Sequence, residues 1–363
     1  MIGGVPTLLA VLAGVAGAGI VAATVLSAAQ TLAVPRATPL WITRWVFLVV
    51  GFAFAPARRM REYHRRDRAL ALYAPLSLIC LPLVWLTLVL LGFSLVFVAL
   101  GQGWSDAVVE SGSSLLTLGV REPPGTGAAL LVFVEAALGL GLVALLISYL
   151  PSIYASYSRR EVMVTGLETQ AGSPPSAVEL LTRLAAIEGL EELDGFWAEW
   201  SRWFADIEET HSSTPSLVFF RSPQPDRSWV TAAGTVLDAA ALVSSTLDLG
   251  RRPAAELCLR SGYLALRRVA DFFAMPYDAD PAPDDPIGVQ RDEYDAARAA
   301  LAAAGAAVRA DADRSYRDFV GWRVNYDAVL RRFAGLTHAP TAPWSGDRPL
   351  AFHQVALPRR RLR

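Results

Sequence analysis

The residues placed to do chemistry lie in "GSSLLTLGVREP", residues 112 to 123, between two apolar runs that are each long enough to cross a bilayer. Trp104 to Leu116 predicts a short helix, capped by Ser105 or Asp106, that is too short to span and so re-enters the membrane. The stretch after it, "TLGVRE", is non-helical backbone at membrane depth. Lipid can satisfy neither amides nor carbonyls, so such backbone survives only where it is buried in protein or lines a water-filled path. The chemistry it points to is passage through a pore rather than the making of bonds. Glu135, about a third of the way into the next run, is an ionisable group where charge is expensive. It reads as a pore-facing or pore-supporting carboxylate, an intersubunit hydrogen bond, or a side chain snorkelling to the interface.

The elements that must position these residues follow from composition. Of 363 residues, 53% are hydrophobic and 18% charged, too apolar for an ordinary soluble protein. Four spans are expected, at about 5–33, 40–56, 74–100 and 127–150. Residues 1–35 carry no charge, whereas "ARRMREYHRRDR" carries Arg58, Arg59, Arg61, Arg65, Arg66 and Arg68, and "YSRRE" adds Arg159 and Arg160. The positive-inside rule puts both basic segments in the cytoplasm, and with four spans both termini as well. The opening run lacks a basic start and is longer than a signal-peptide core, which predicts a retained helix. All basic charge is arginine, a bias that fits a GC-rich bacterium and hence its inner membrane. Cys80 and Cys258 form no disulfide framework.

The segment 74–160 resembles the pore module of tetrameric potassium channels, with "SSLLTLGV" standing against that family's T-V-G-Y-G filter. The resemblance implies an outer helix, a pore helix, a filter and an inner helix, with four copies around one axis. It implies that backbone carbonyls of Thr117, Leu118, Gly119 and Val120 replace the hydration shell of a monovalent cation such as potassium. Gly119 suits a filter of alternating backbone handedness. Arg121 then stands where the family has its second glycine, and Glu122 where it usually has aspartate. A left-handed Arg121 would be strained by about 1 to 2 kcal/mol per subunit, and four guanidiniums at an outer mouth would repel cations unless Glu122 pairs with them. Gly139 and Gly141 lie where inner helices bend, although small residues also permit close packing. Pro151 would open or narrow the cytoplasmic exit.

From residue 158 the chain reads as an α-helical cytoplasmic domain. In "LDGFWAEWSRWFADIEE", Phe196, Trp200, Trp203, Phe204 and Ile207 share one helix face. The expected organisation is 1–72 (two spans and a basic loop), 73–157 (pore module), 158–335 (helical domain) and 336–363 (a proline- and arginine-containing tail). His64, His211, His338 and His353 lack metal-ligand spacing and read as solvated loop residues. Asp278, Asp280, Asp284 and Asp285 lack the spacing of a calcium loop. "HSSTPSLVFFRSP" either closes a small-ligand pocket or packs the core, and packing is the simpler reading. Gly17–Ala22 and Gly139–Ala144 match G-x-G-x-x-A but follow no strand, which makes them helix-packing glycines. No nucleophile, base and orienting group assemble from spacing. The expectation is an all-α membrane protein that is not an enzyme, binds no metal, cofactor or nucleic acid, and forms a homotetrameric cation channel. Its partners are the lipid bilayer and an unidentified cytoplasmic ligand or protein. The rival is a non-conducting, membrane-anchored sensor or scaffold with a channel-like fold.

Overall fold

Long runs of Leu, Val, Ala and Phe with few breakers bury their backbone hydrogen bonds within single helices. The computed structural model describes residues 7–33, 41–123 and 125–352, and these are helical apart from loops and one isolated bridge between Leu247 and Val308. The helices are α1 (Thr7–Ala33), α2 (Trp41–Ala53), α3 (Ala55–Arg58), α4 (Tyr63–Ala71), α5 (Tyr73–Ala99), α6 (Trp104–Leu115) and α7 (Thr126–Ala171). They continue with α8 (Ala177–Ala186), α9 (Asp194–Ser213), α10 (Trp229–Ser245), α11 (Pro253–Phe272), α12 (Arg291–Ala303), α13 (Ala312–Arg323) and α14 (Asp327–Thr337). The arginine-rich end of the tail, with His353, lies outside the described residues.

Three helical stretches are long and apolar enough to cross a membrane: Thr7–Thr31, Tyr63–Ala99 and Thr126–Ala171. The second expected span falls short. As a helix of 13 residues, α2 covers about 20 Å at 1.5 Å per residue, against a hydrocarbon core of about 30 Å. It stops at Ala53 because Pro56 has no amide to donate back to Phe52, and α3 starts a separate turn.

The chain divides into two compact units, one made of residues up to 58 with 72–154 and the other of 59–71 with the chain from 155 onward. In the first, α1 crosses α5 at a glycine pair. A Cβ on Gly17 would collide with the Gly92 carbonyl, and one on Gly92 would press on Val21. Trp85, Val89, Phe93 and Phe97 of α5 are buried and form its core. In the second unit α10 is buried on almost every side, as a helix that is apolar all round must be. The aromatic face of α9 packs as its spacing predicts: Trp200, Trp203, Phe204 and Ile207 are buried and Phe196 half-buried, with Trp200 and Trp203 edge to face at 4.8 Å.

Basic residues departed most from their sequence reading. Residues 59–71 are not a free loop: Asp67 is buried against Arg221, and the Tyr63 hydroxyl donates to the Pro225 carbonyl at 2.8 Å. Arg160 is buried rather than solvated. The glycine crossing sets a direct expectation. Gly17→Val should lower the melting temperature of the full chain in detergent by the equivalent of about 1 to 3 kcal/mol. Gly19→Val, where an added Cβ meets no atom within 4 Å, should leave it unchanged.

Candidate functional site

The short helix α6 is held on two sides by its serines. Ser111 Oγ lies 2.9 Å from the Leu90 carbonyl of α5, and Ser114 Oγ donates to the Val132 carbonyl of α7 at 2.8 Å. Gly139 lets α7 approach the end of α6, since a Cβ there would collide with the Leu115 carbonyl. Leu90 lies nine residues before the end of α5 and Gly139 thirteen after the start of α7. Those offsets correspond to about 14 and 20 Å of helix, so α6 ends well inside the lengths of the two long apolar helices rather than at their tips.

There the chain leaves α6 through a Schellman turn. Thr117 N–H donates to the Ser114 carbonyl at 2.9 Å and Leu118 N–H to the Ser113 carbonyl at 2.8 Å. Thr117 takes the left-handed position, with φ of 56°, where glycine is usual and a β-branched residue is a genuine outlier. Gly119 is left-handed as well, at 63°, while Leu118 and Val120 are not. Val120 N–H then donates to Ser113 Oγ at 2.9 Å. Three amides of the 117–120 segment are thus tied to the last turn of α6. Its four carbonyls accept no hydrogen bond among the described residues. The side chains of Leu118 and Val120 are 63% and 71% exposed, a large apolar area for a single chain to leave uncovered.

Arg121 is not left-handed, so the strain expected at that position is absent. Its guanidinium pairs with Asp106 at 2.7 Å, not with Glu122, which is exposed and makes no ion pair among the described residues. Asp106 accordingly does not cap α6; Gly103 occupies the cap position without a side-chain bond. The pairing draws the segment back along α6 toward its start.

Behind α6, Glu135 is fully buried, and its Oε1 lies 2.5 Å from Ser111 Oγ. A serine hydroxyl has one proton, and here it faces two acceptors, the Leu90 carbonyl and Glu135. The set closes when Glu135 carries a proton and donates it to Ser111, whose own proton goes to Leu90. Glu110, also buried, receives the Gln102 amide at 2.8 Å. Gly141 meets nothing within 4 Å, and α7 continues without interruption through Pro151.

The second unit anchors the far part of α7. Arg160 donates to the carbonyls of Leu217 at 2.8 Å and Phe220 at 2.7 Å, pairs with Glu161, and meets His211 Nε2 at 3.2 Å. Arginine can only donate, so Nε2 accepts and the His211 proton sits on Nδ1, facing Thr210 Oγ1 at 3.0 Å. His211 is therefore a buried neutral group, not a solvated one. Burial and the Arg160 charge hold its pKa well below the usual value. The segment "HSSTPSLVFFRSP" packs the core around Arg160. Cys258, also buried, has its thiol pushed up to about 12 by burial, which makes it inert. Among the described residues no group of three or more His, Cys, Asp or Glu could hold a metal ion.

Ser111, Ser113 and Ser114 are the residues that sequence reasoning passed over. Their signal was present as hydroxyls clustered in one short helix between apolar spans. Glu135→Gln can still donate to Ser111 and should keep the melting temperature in detergent near wild type, whereas Glu135→Ala should cost about 1 to 3 kcal/mol. His211 sets a pH dependence. Its folded pKa is depressed, so its contribution to stability is complete above the unfolded value of about 6.5 and is lost as pH falls below it. Melting of the full chain between pH 7.5 and 5 should show this slope, and His211→Gln should flatten it. No family model, curated protein or solved structure matches the chain.

Proposed function

We propose that four copies of this chain form a pore-loop ion channel conducting monovalent cations, in which residues 117–120 line the narrow part of the path. The observation that carries the reading is the split within that segment: amides tied to the end of α6, carbonyls left free, and left-handed backbone at Thr117 and Gly119. Free carbonyls inside an apolar layer are costly unless water or an ion meets them. A ring of such oxygens is what a dehydrating cation needs. The exposed Leu118 and Val120 side chains are the surfaces that neighbouring copies would cover.

Topology supports the same reading. Residues 59–71 and the chain beyond 155 belong to one compact unit and touch through Asp67–Arg221. A single unit lies on one side of a bilayer, so the stretch 72–154 crosses an even number of times. That makes α5 and α7 the two crossings and α6 the re-entrant element between them. By the positive-inside rule, the basic segments support a cytoplasmic position for that unit, in a bacterial cell.

The Arg121–Asp106 pair neutralises the charge that would otherwise repel cations at the mouth. A path without the upper filter glycine retains fewer carbonyl rings, and weak potassium selectivity follows. The second unit, anchored to α7 through Arg160, is the gating or assembly element.

Reconstituted liposomes test the proposal. Wild-type protein should pass potassium and sodium down imposed gradients. Gly119→Ala, which places a Cβ on left-handed backbone at about 1 to 2 kcal/mol per subunit, should cut the flux at least tenfold with tetramers still formed. Absence of flux in wild type and in Arg121→Gly under several ionic gradients would instead leave a membrane-anchored scaffold.

A further inference from the structure

The second unit contains a cavity of about 260 Å³ between α8, α10, α12 and the loop at 343–344, bounded by Val178, Ala296, Ala297 and Trp344 with Asp238 and Glu293 as its charged groups. The cations around it are already engaged. Arg323, fully buried, donates to Asp238, to Asp327 at 3.0 Å and to the Trp344 carbonyl. Although burial opposes its charge, Asp238 and Asp327 overcome that and raise its pKa above the ordinary value. Arg348 holds both oxygens of Glu293, at 2.7 and 2.6 Å, and also meets Asp347 and the Gly288 carbonyl. Arg331 takes the second oxygen of Asp327 at 3.1 Å.

What remains is acceptor capacity. Asp238 is 1% exposed, and both of its protein donors, Arg323 and the Tyr326 hydroxyl at 2.7 Å, use the same oxygen, Oδ1. No donor among the described residues reaches Oδ2, and Asp238 is one of the residues that line the cavity. The ion pairs fall into two groups: Asp238 and Asp327 balance Arg323 and Arg331, whereas Glu293 and Asp347 share Arg348 and leave one negative charge over beside Glu293, the cavity's other charged group. Trp344 is held left-handed, with φ of 61°, a strained conformation for a bulky residue and one that concentrates at ligand clamps. The remaining wall is small and apolar. Its volume falls just below the range of drug-sized sites, about 300 to 1,000 Å³, which excludes a nucleotide.

We infer that this cavity binds a small primary ammonium compound with a compact apolar body, the ammonium donating to Asp238 Oδ2 and the body lying against Val178, Ala296, Ala297 and Trp344. The ligand supplies the donor that Asp238 Oδ2 lacks, and its charge offsets the surplus beside Glu293. This assignment holds whether or not the membrane unit conducts ions.

Calorimetric titration of the full chain in detergent with three probes of one shape tests it: benzylamine, benzyl alcohol and benzoate. Benzylamine should bind at least tenfold more tightly than benzyl alcohol, and benzoate should not bind. Ala296 is exposed on α12 at the rim, so Ala296→Phe should abolish benzylamine binding with an unchanged melting curve. Asp238→Asn, where it folds, should bring benzylamine and benzyl alcohol to equal affinity. The assignment fails if benzylamine gives no binding, if it binds no better than the alcohol, or if its binding survives Ala296→Phe.

Discussion

Backbone amides that leave a helix inside an apolar layer must find acceptors within the protein, and in the proposed channel the geometry of the first unit follows from how residues 116–121 meet that demand. An unpartnered amide in an apolar medium costs several kcal/mol, far more than a typical hydrogen bond of about 1 kcal/mol contributes in water. Ser113 meets half of the demand alone, its carbonyl accepting from Leu118 and its hydroxyl from Val120, while Gly112 and Ser114 accept from Leu116 and Thr117. Its neighbours fix the helix that carries it, Ser114 against α7 and Ser111 between α5 and Glu135. Replacing any of these with an apolar residue of similar size would keep the packing and remove the acceptor or the anchor.

Satisfying the amides leaves the carbonyls on the other side. A strand would alternate the two groups across its length, but left-handed residues at every second position turn successive carbonyls the same way. Glycine gives that freedom at residue 119, and threonine accepts strain at residue 117. A glycine at the Schellman position would end the helix with less strain. Threonine there adds a hydroxyl beside the carbonyl, a second oxygen that the proposed conduction path would use.

Much of this was legible from composition and spacing. Apolar runs gave the long helices, the short amphiphilic segment after a full span gave α6, and a 3.6-residue aromatic period gave the buried face of α9. Individual polar side chains were harder to read because their meaning depends on what lies across from them. Arg160 and Arg159 are adjacent and look alike in sequence, yet only Arg160 donates to the carbonyls of Leu217 and Phe220. His211 reads as a solvated histidine until Arg160 is placed 3.2 Å from its ring. Asp106 reads as a cap, but a capping aspartate must precede the first turn, and this one lies inside it, free to meet Arg121. The second span failed for a local reason, the missing amide of Pro56, that a hydropathy window averages away.

The loop between α9 and α10 gathers contacts from α4 and from the last part of α7, all within the second unit. Arg160 and Tyr157, on α7, bond the carbonyls of Leu217, Phe220 and Arg221. Tyr63 and Asp67, on α4, hold Pro225 and Arg221, and Leu72 alone separates α4 from α5. Arg221 also reaches the carbonyls of Thr337 and His338 beyond the end of α14. One half-buried arginine therefore joins α4 to the last helix of the second unit, and its own carbonyl receives a hydroxyl from α7. Buried contacts of this kind shift between discrete arrangements rather than deforming smoothly. A change in the packing of α14 is thereby carried through Arg221 to α4 and to the part of α7 beyond residue 155.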